Sequence, residues 1–348
     1  MFGKVFRLGS MGLVILTCVL AATLSSPGIA LAKHRDTERI VVVYCGRSKA
    51  LVAPVFEKFT KKTGIKVVAR YGDTAELVGL IQEEGKRTLA DVFFAQDAGA
   101  LGALSHKGYL QKLPHDVLAS VDKRYRASDD TWVGISGRAR TIVYSTASLN
   151  EEDVPDSVFD LTDAKWKGKV GWAPTNGSFQ AFVTAMRKSE GDRTTATWLS
   201  KMVENDVREY PKNSPIVQAV GSGEIQLGLV NHYYLYRYKE RDPNFPAENK
   251  FTKSGDPGSL VNVAGVGIVQ GGSTVRYEVA DALINYLLGK EAQEYFSSKT
   301  YEYPLSAGVQ PTQGLRPLAE INPPDISLGD LNDLQMTLKM LRAVGAIP

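Results

Sequence analysis

Apolar positions along the chain recur with two periods, and the alternation between them divides it into elements. Residues 40–44 form a β-branched run that ends at Cys45-Gly46-Arg47-Ser48. The stretch that follows places Leu51, Val55, Phe56 and Phe59 on one helical face, and Gly64 stops it. Residues 65–70 read as the next strand, 74–84 as a helix, 91–94 as a short strand and 98–105 as a helix ending near Gly108. Two short strands, 132–135 and 141–144, flank Ser136-Gly137-Arg138-Ala139-Arg140. A second unit then begins: strand 170–173, the polar link Pro174-Thr175-Asn176-Gly177-Ser178, and amphipathic helices over 179–189 and 194–205. Ser214 reads as an N-cap with Pro215 at the first helical position. Residues 225–230 and 261–269 read as strands, 277–288 and 291–298 as helices, and 328–344 as one closing amphipathic helix. No internal repeat or low-complexity segment interrupts this order.

Strands alternating with helices at this spacing predict an α/β fold with mostly parallel sheets. A length of 348 residues suits two lobes better than one small domain. Crossings between the lobes are expected near residues 135–140 and 260–266. That assigns 33–136 and 264–312 to the first lobe and 137–263 and 313–348 to the second. Ligands in such sheets sit beyond the carboxyl ends of strands, where residues 45–48 and 95–97 fall, and a cleft between lobes suits a small molecule.

The first 32 residues change the picture of where this fold works. Lys4 and Arg7 precede an apolar core at 11–24, and Ala30-Leu31-Ala32 offers a small-x-small cleavage pattern. The core is about 14 residues long against the ~20 needed to span a bilayer, so a signal peptide cleaved after Ala32 is expected. Threonine before Cys18 makes a poor lipobox. The expected product is exported, periplasmic and soluble. Losing Lys4 and Arg7 lowers the formal charge from +3 to about +1, and no basic stripe interleaved with aromatics argues for nucleic acid. Only Cys45 then remains, too few for an internal disulfide, and the four histidines are too scattered for zinc.

The densest chemistry lies in Asn231-His232-Tyr233-Tyr234-Leu235-Tyr236-Arg237-Tyr238. Adjacent helical residues point about 100° apart and cannot share one buried stripe. Tyr233 and Tyr234 can instead converge at a strand-to-helix turn. A phenol, with a reference pKa of about 10, is a poor ligand for most divalent metals. Ferric iron is a hard trivalent acid able to displace the phenolic proton, and two phenolates would neutralise two of its three charges. An anion has a home nearby: Asn176-Gly177-Ser178 opens one helix, Asn213-Ser214 a second and Asn231 a third. Free N–H groups and helix dipoles would face the cleft there, with Arg138 near the crossing.

The mature chain, nearly end to end, resembles the periplasmic ferric-ion-binding proteins of bacterial iron ABC transporters. The resemblance is carried jointly by Tyr44-Cys45-Gly46-Arg47-Ser48, Ala90-Asp91-Val92-Phe93-Phe94, Ser136-Gly137-Arg138-Ala139-Arg140 and Trp166-Lys167-Gly168-Lys169-Val170-Gly171. It continues in Pro174-Thr175-Asn176-Gly177-Ser178-Phe179, Lys212-Asn213-Ser214, Asn231-His232-Tyr233-Tyr234 and Glu302-Tyr303-Pro304-Leu305. It implies the two-lobed type II periplasmic binding protein fold, closing about a hinge. It also implies Fe³⁺ as transported ligand on Tyr233 and Tyr234, with carbonate or phosphate as synergistic anion. Around that anion it places Asn176, Gly177, Ser178, Asn213 and Asn231, with Arg138 close by. The partners it implies are an inner-membrane ABC permease and its ATPase, served by a monomer. Two positions depart from the best-known members, Ser48 standing for a histidine and Gln96 for a glutamate. Both are weak iron ligands, so Arg47, Ser48 and Gln96 are expected only as cleft contacts across from the tyrosines. His232 is expected to point away from the metal.

Two other classes fit parts of the sequence. One is a binding protein for a ferric chelate, another organic anion or thiamine; adjacent phenols disfavour a purely organic ligand. An exported hydrolase is the other, but the chain has no Gly-x-Ser-x-Gly elbow and no His-Glu-x-x-His, so no catalytic residue is assigned.

Overall fold

A computed structural model describes residues 39–271, 274–312 and 314–348; the leader, its cleavage site and Cys18 lie outside the described residues. The strands in chain order are β1 (Ile40–Cys45), β2 (Lys66–Tyr71), β3 (Val92–Ala95), β4 (Val133–Ser145), β5 (Val170–Trp172), β6 (Arg208–Glu209), β7 (Leu227–Asn231), β8 (Ala247–Lys250), β9 (Val261–Ile268) and β10 (Tyr303–Pro304). They join in the order β2-β1-β3-β9-β4-β7-β5-β6, with β8 and β10 both paired to β4.

Every residue of β1 is buried, as a strand with parallel neighbours on both sides and helices on its faces must be. The helix Lys49–Thr63 buries Val52, Val55, Phe56 and Phe59, the predicted stripe. Gly64 ends it at φ 73°, its N–H returning to the Thr60 carbonyl, a left-handed cap that glycine adopts without a Cβ clash. Parallel pairing holds within β2-β1-β3 and β7-β5-β6. Around β4 and β9 the pairing is antiparallel, which the expectation of mostly parallel sheets did not include. Antiparallel pairs appear because both crossing strands run through the middle of the molecule and return.

β4 corrects the expectation of two short strands around a polar link. It runs unbroken for 13 residues, all buried. Its first half pairs with β9 and β10 and its second half with β7 and β8, so one strand belongs to both sheets. Ser136, Arg138 and Arg140 alternate along it and share one face. They are strand residues with polar partners, not a loop.

The closing segment also departs from expectation. A 3-10 turn, Leu328–Asn332, breaks at Asp333 (ψ 53°) before the helix Leu334–Ala343 begins. The turn packs on the helix Ala98–Ser105, where a Cβ on Gly99 would lie 2.5 Å from the Leu331 carbonyl oxygen and one on Gly102 2.2 Å from that of Gly329. Beyond the break, Thr337 shares a 2.7 Å hydrogen bond with Thr184 on the helix Gly177–Glu190, and Arg187 there bonds Asp333 at 2.9 Å. The terminal segment thus touches both halves of the molecule. Since backbone cannot retreat as a flexible side chain does, Gly102→Ala is expected to cost about 1–3 kcal/mol. Urea unfolding, with the midpoint lowered at unchanged slope, measures it.

Beneath the second half of the sheet, Trp172, Phe179, Phe182 and Trp198 form an edge-packed aromatic cluster with centroids 5.3–6.3 Å apart. It supports one wall of the cleft.

Candidate metal and anion site

A cleft of about 680 Å³ opens beside the two crossing strands. The helix Tyr233–Lys239 starts directly after β7 and delivers Tyr233 and Tyr234 to its wall. Their rings stack with centroids 4.3 Å apart and planes 28° from parallel. Arg237, four and three residues further on, lies over both rings, 4.9 and 5.6 Å from their centroids. That helical spacing puts the cation on the faces of both phenols, where ring quadrupoles attract it. Burial, with the Tyr233 hydroxyl beside it, pushes the Tyr234 phenol above its ordinary value, against the pull of Arg237 and Arg138. At neutral pH Tyr234 therefore keeps its proton until a cation displaces it.

Tyr236 and Tyr238 do not line the cleft. Tyr236 donates to the Gly314 carbonyl at 2.9 Å and stacks on Tyr301, while Tyr238 donates to the Ser214 carbonyl at 3.0 Å and packs on Phe245. His232 is fully buried: Nδ1 accepts from the Ala139 N–H at 3.2 Å and Nε2 meets the Tyr301 carbonyl at 2.7 Å. Burial pushes it down to about 4, so it is a neutral structural pin with no nitrogen left for a metal.

Of the residues assigned to an anion, Asn176, Ser178, Asn213 and Asn231 form one hydrogen-bonded cluster, while Arg138 donates to the Gln96 carbonyl across the cleft. Asn176 caps the helix Gly177–Glu190, its Oδ1 accepting from Ser178 N at 3.1 Å, Ser178 Oγ at 2.6 Å and Asn213 Nδ2 at 3.2 Å. Asn213 Oδ1 in turn accepts from Asn231 N at 3.1 Å. A Cβ built on Gly177 meets nothing within 4 Å, so this helix start opens onto free space. Two details differ from expectation. The helix Asn213–Gly221 begins before Ser214, which sits in its first turn, and Asn231 ends β7 instead of opening a helix. Asn213 is buried one layer behind the cleft wall and aligns the residues that line it.

Arg140 was missed as a site residue. Its guanidinium lies 5.4 and 5.1 Å over Phe179 and Phe182, and Nη1 reaches Ser178 Oγ at 3.5 Å and Asn231 Oδ1 at 3.4 Å. Burial lowers its pKa to about 9, still high enough to keep the charge at neutral pH. The signal was available: Arg138 and Arg140, two apart on a strand, share a face.

Across the cleft, Gln96 lies on the wall, its Oε1 accepting from Arg47 Nη1 at 2.9 Å and its backbone carbonyl from Arg138 Nη2. Among the described residues neither Arg47 nor Ser48 lines the cleft. Arg47 is buried in an ion pair with Glu302, both contacts 2.7 Å, and Ser48 is an exposed residue ahead of the helix Lys49–Thr63. Asp97 and Asp73 each give an oxygen to a helix start, accepting from Ala100 N at 3.1 Å and Ala75 N at 2.9 Å. No three His, Cys, Asp or Glu side chains among the described residues are grouped to hold a metal, and no helix there is long and apolar enough to cross a membrane.

Comparison with known proteins agrees with this architecture. Residues 87–322 match the model of the bacterial extracellular solute-binding protein family. The chain is 33% identical over 331 residues to the major ferric iron-binding protein of Neisseria meningitidis, covering 94% of this chain and 97% of that one. Iron-bound HitA from Pseudomonas aeruginosa superposes with a TM-score of 0.81 at 31% identity, covering 88% of this chain and 99% of that one. A Trichodesmium protein in complex with iron and citrate does so with a TM-score of 0.78 at 28% identity, at the same coverage. Two-lobed periplasmic binding proteins are thus its structural neighbours, and the chain belongs to the bacterial extracellular solute-binding protein family.

Proposed function

We propose that the protein captures ferric iron in the interlobe cleft and delivers it to an ABC permease, without catalysing a reaction. Tyr233 and Tyr234 are the iron ligands. An anion, carbonate or phosphate, sits at the opening of the helix Gly177–Glu190, against Asn176, Gly177, Ser178, Asn231 and Arg138, with Asn213 behind. The observation that carries this reading is the stacked pair of phenols on the cleft wall, beside a cluster of helix-start N–H groups and guanidinium charge. Two phenolates leave one positive charge on the ion, which an adjacent anion offsets. The relatives named for ferric iron support the same cargo.

The leader is removed after Ala32, and the mature monomer works in the periplasm with the permease and its ATPase. The lobes divide as 33–136 with 264–312 and 137–263 with 313–348, Leu328–Asn332 resting on a helix of the first. Closure moves Gln96 toward the tyrosines and excludes water, which strengthens each charge interaction inside.

Adding ferric iron and bicarbonate to metal-free protein is expected to produce a visible phenolate-to-iron absorption band saturating at one iron per chain. About three protons should be released per iron when carbonate is the anion, two from the phenols and one from bicarbonate. Tight binding of ferric iron without that band would falsify the assignment.

A further inference from the structure

The terminal segment passes from one half of the molecule to the other between two consecutive residues. The turn Leu328–Asn332 is anchored on the first half. Leu328 and Leu331 are buried, and the carbonyls of Gly329 and Leu331 fit the glycine groove of the helix Ala98–Ser105. Asn332 Nδ2 meets His106 Nδ1 at 2.7 Å, just past the end of that helix. Asp333 is held by the other half: Arg187 Nη2 donates to its carboxylate at 2.9 Å and Nη1 to its carbonyl at 3.1 Å. Nη1 also donates to Thr337 Oγ1 at 3.0 Å, on the helix Leu334–Ala343, which buries Thr337, Met340 and Leu341. The chain reaches the turn from the second half as well, where the Asn322 carbonyl accepts from Gly255 N at 2.9 Å. Residues 323–327 span that incoming link, whereas no residue lies between the anchors of the outgoing one.

The crossing strands connect the halves at a different place. Arg138 on β4 donates to the Gln96 carbonyl, just ahead of the helix Ala98–Ser105. One connection therefore lies at the N-terminal end of this helix and the other at its C-terminal end. Eight steps of about 1.5 Å, from Ala98 to His106, put them about 12 Å apart. Two fixed points define a line, and rigid bodies joined at both can turn only about that line. Any other relative motion would stretch a peptide link that has no length to give. Both connections line the same cleft, through Arg138 and Leu260 in one place and Leu331, Asn332 and Leu334 in the other.

We propose that the Asn332–Asp333 link is a taut strap that, together with the crossing strands, fixes the hinge axis beside the helix Ala98–Ser105 and limits how far the cleft opens. Rotation about this axis leaves both connections in place. The first-lobe helix Thr74–Glu84, whose Thr74, Ala75, Val78 and Gln82 line the cleft, swings relative to the second-lobe wall. Leu331 and Asn332 stay as one fixed side of the cleft, so it opens away from them. This rests on the two-lobe division above and holds whatever the cleft carries.

Inserting Gly-Ser-Gly between Asn332 and Asp333 adds up to about 10 Å of slack. Spin labels on Lys61→Cys and Glu204→Cys, both exposed and one on each lobe, report the interlobe distance in metal-free protein, where Cys45 is buried. The insertion is expected to lengthen and broaden that distance distribution while the circular dichroism of the folded chain is retained. Release of ferric iron to a competing chelator should be at least about threefold faster, since a longer tether enlarges the open ensemble. Should the insertion unfold the chain, Asn332→Ala with Asp333→Ala loosens both anchors at constant length and is expected to broaden the same distribution. An unchanged distribution in the folded variant would overturn the strap. A broadened distribution in protein that takes up no ferric iron would support the strap and sink the ferric reading alone.

Discussion

Replacing Tyr234 by Phe is expected to weaken ferric binding by more than about a hundredfold, and replacing both Tyr233 and Tyr234 to abolish the visible band. Residues that merely orient a ligand typically cost 10–100-fold when lost, so a charged ligand that touches the ion should cost more. The two rings stack at 4.3 Å under Arg237, and a phenylalanine ring preserves that packing, so the fold should survive. Thermal unfolding separates loss of binding from loss of structure. A double variant that kept the band would show that the iron ligands lie elsewhere. Phenylalanine at Tyr236 or Tyr238 serves as the control, because those hydroxyls bond backbone carbonyls away from the cleft and should leave the band in place.

That Tyr233 and Tyr234 reach the cleft wall together was legible in the chain because four phenols in six positions exceed what one buried face needs. The strands β1 and β3 and the helices Thr74–Glu84 and Ala98–Ser105 were legible because their periodicity is local. What escaped depended on partners distant in sequence. Ser136 to Arg140 looked like a polar link since nothing nearby shows that β9, β7 and β8 pair along it. The break at Asp333 comes from Arg187 and the glycine-lined groove of Ala98–Ser105, neither visible in the segment itself. Arg140 could have been found by period-two counting. Arg47 could not, because a loop residue's direction is set by its partner, and Glu302 lies 255 positions away.

That partner makes Glu302→Gln the change with the largest expected effect on stability. Arg47 and Glu302 are both fully buried side chains, and Glu302 also accepts from Ser136 at 2.8 Å and Thr300 at 3.3 Å. The pair ties the loop after β1 to the crossing strand β4 and, through Gln96, to the cleft wall. Removing one member of a buried ion pair leaves an uncompensated charge, at roughly 3–5 kcal/mol. Urea unfolding of Glu302→Gln should show that loss, and Arg47→Met combined with Glu302→Leu should recover much of it, since the pair as a whole is offset by its desolvation. Burial alone would raise the Glu302 carboxyl, but the charges of Arg47 and Arg138 and the hydrogen bonds hold it below the usual carboxylate range. A carboxyl lowered on folding contributes stability that is fully present above the unfolded pKa, about 4.3, and lost as pH falls through the folded value. The wild-type protein should therefore lose stability more steeply than Glu302→Gln below about pH 4.3. Equal slopes for the two proteins in that range would mean that Arg47 draws its compensation from another group.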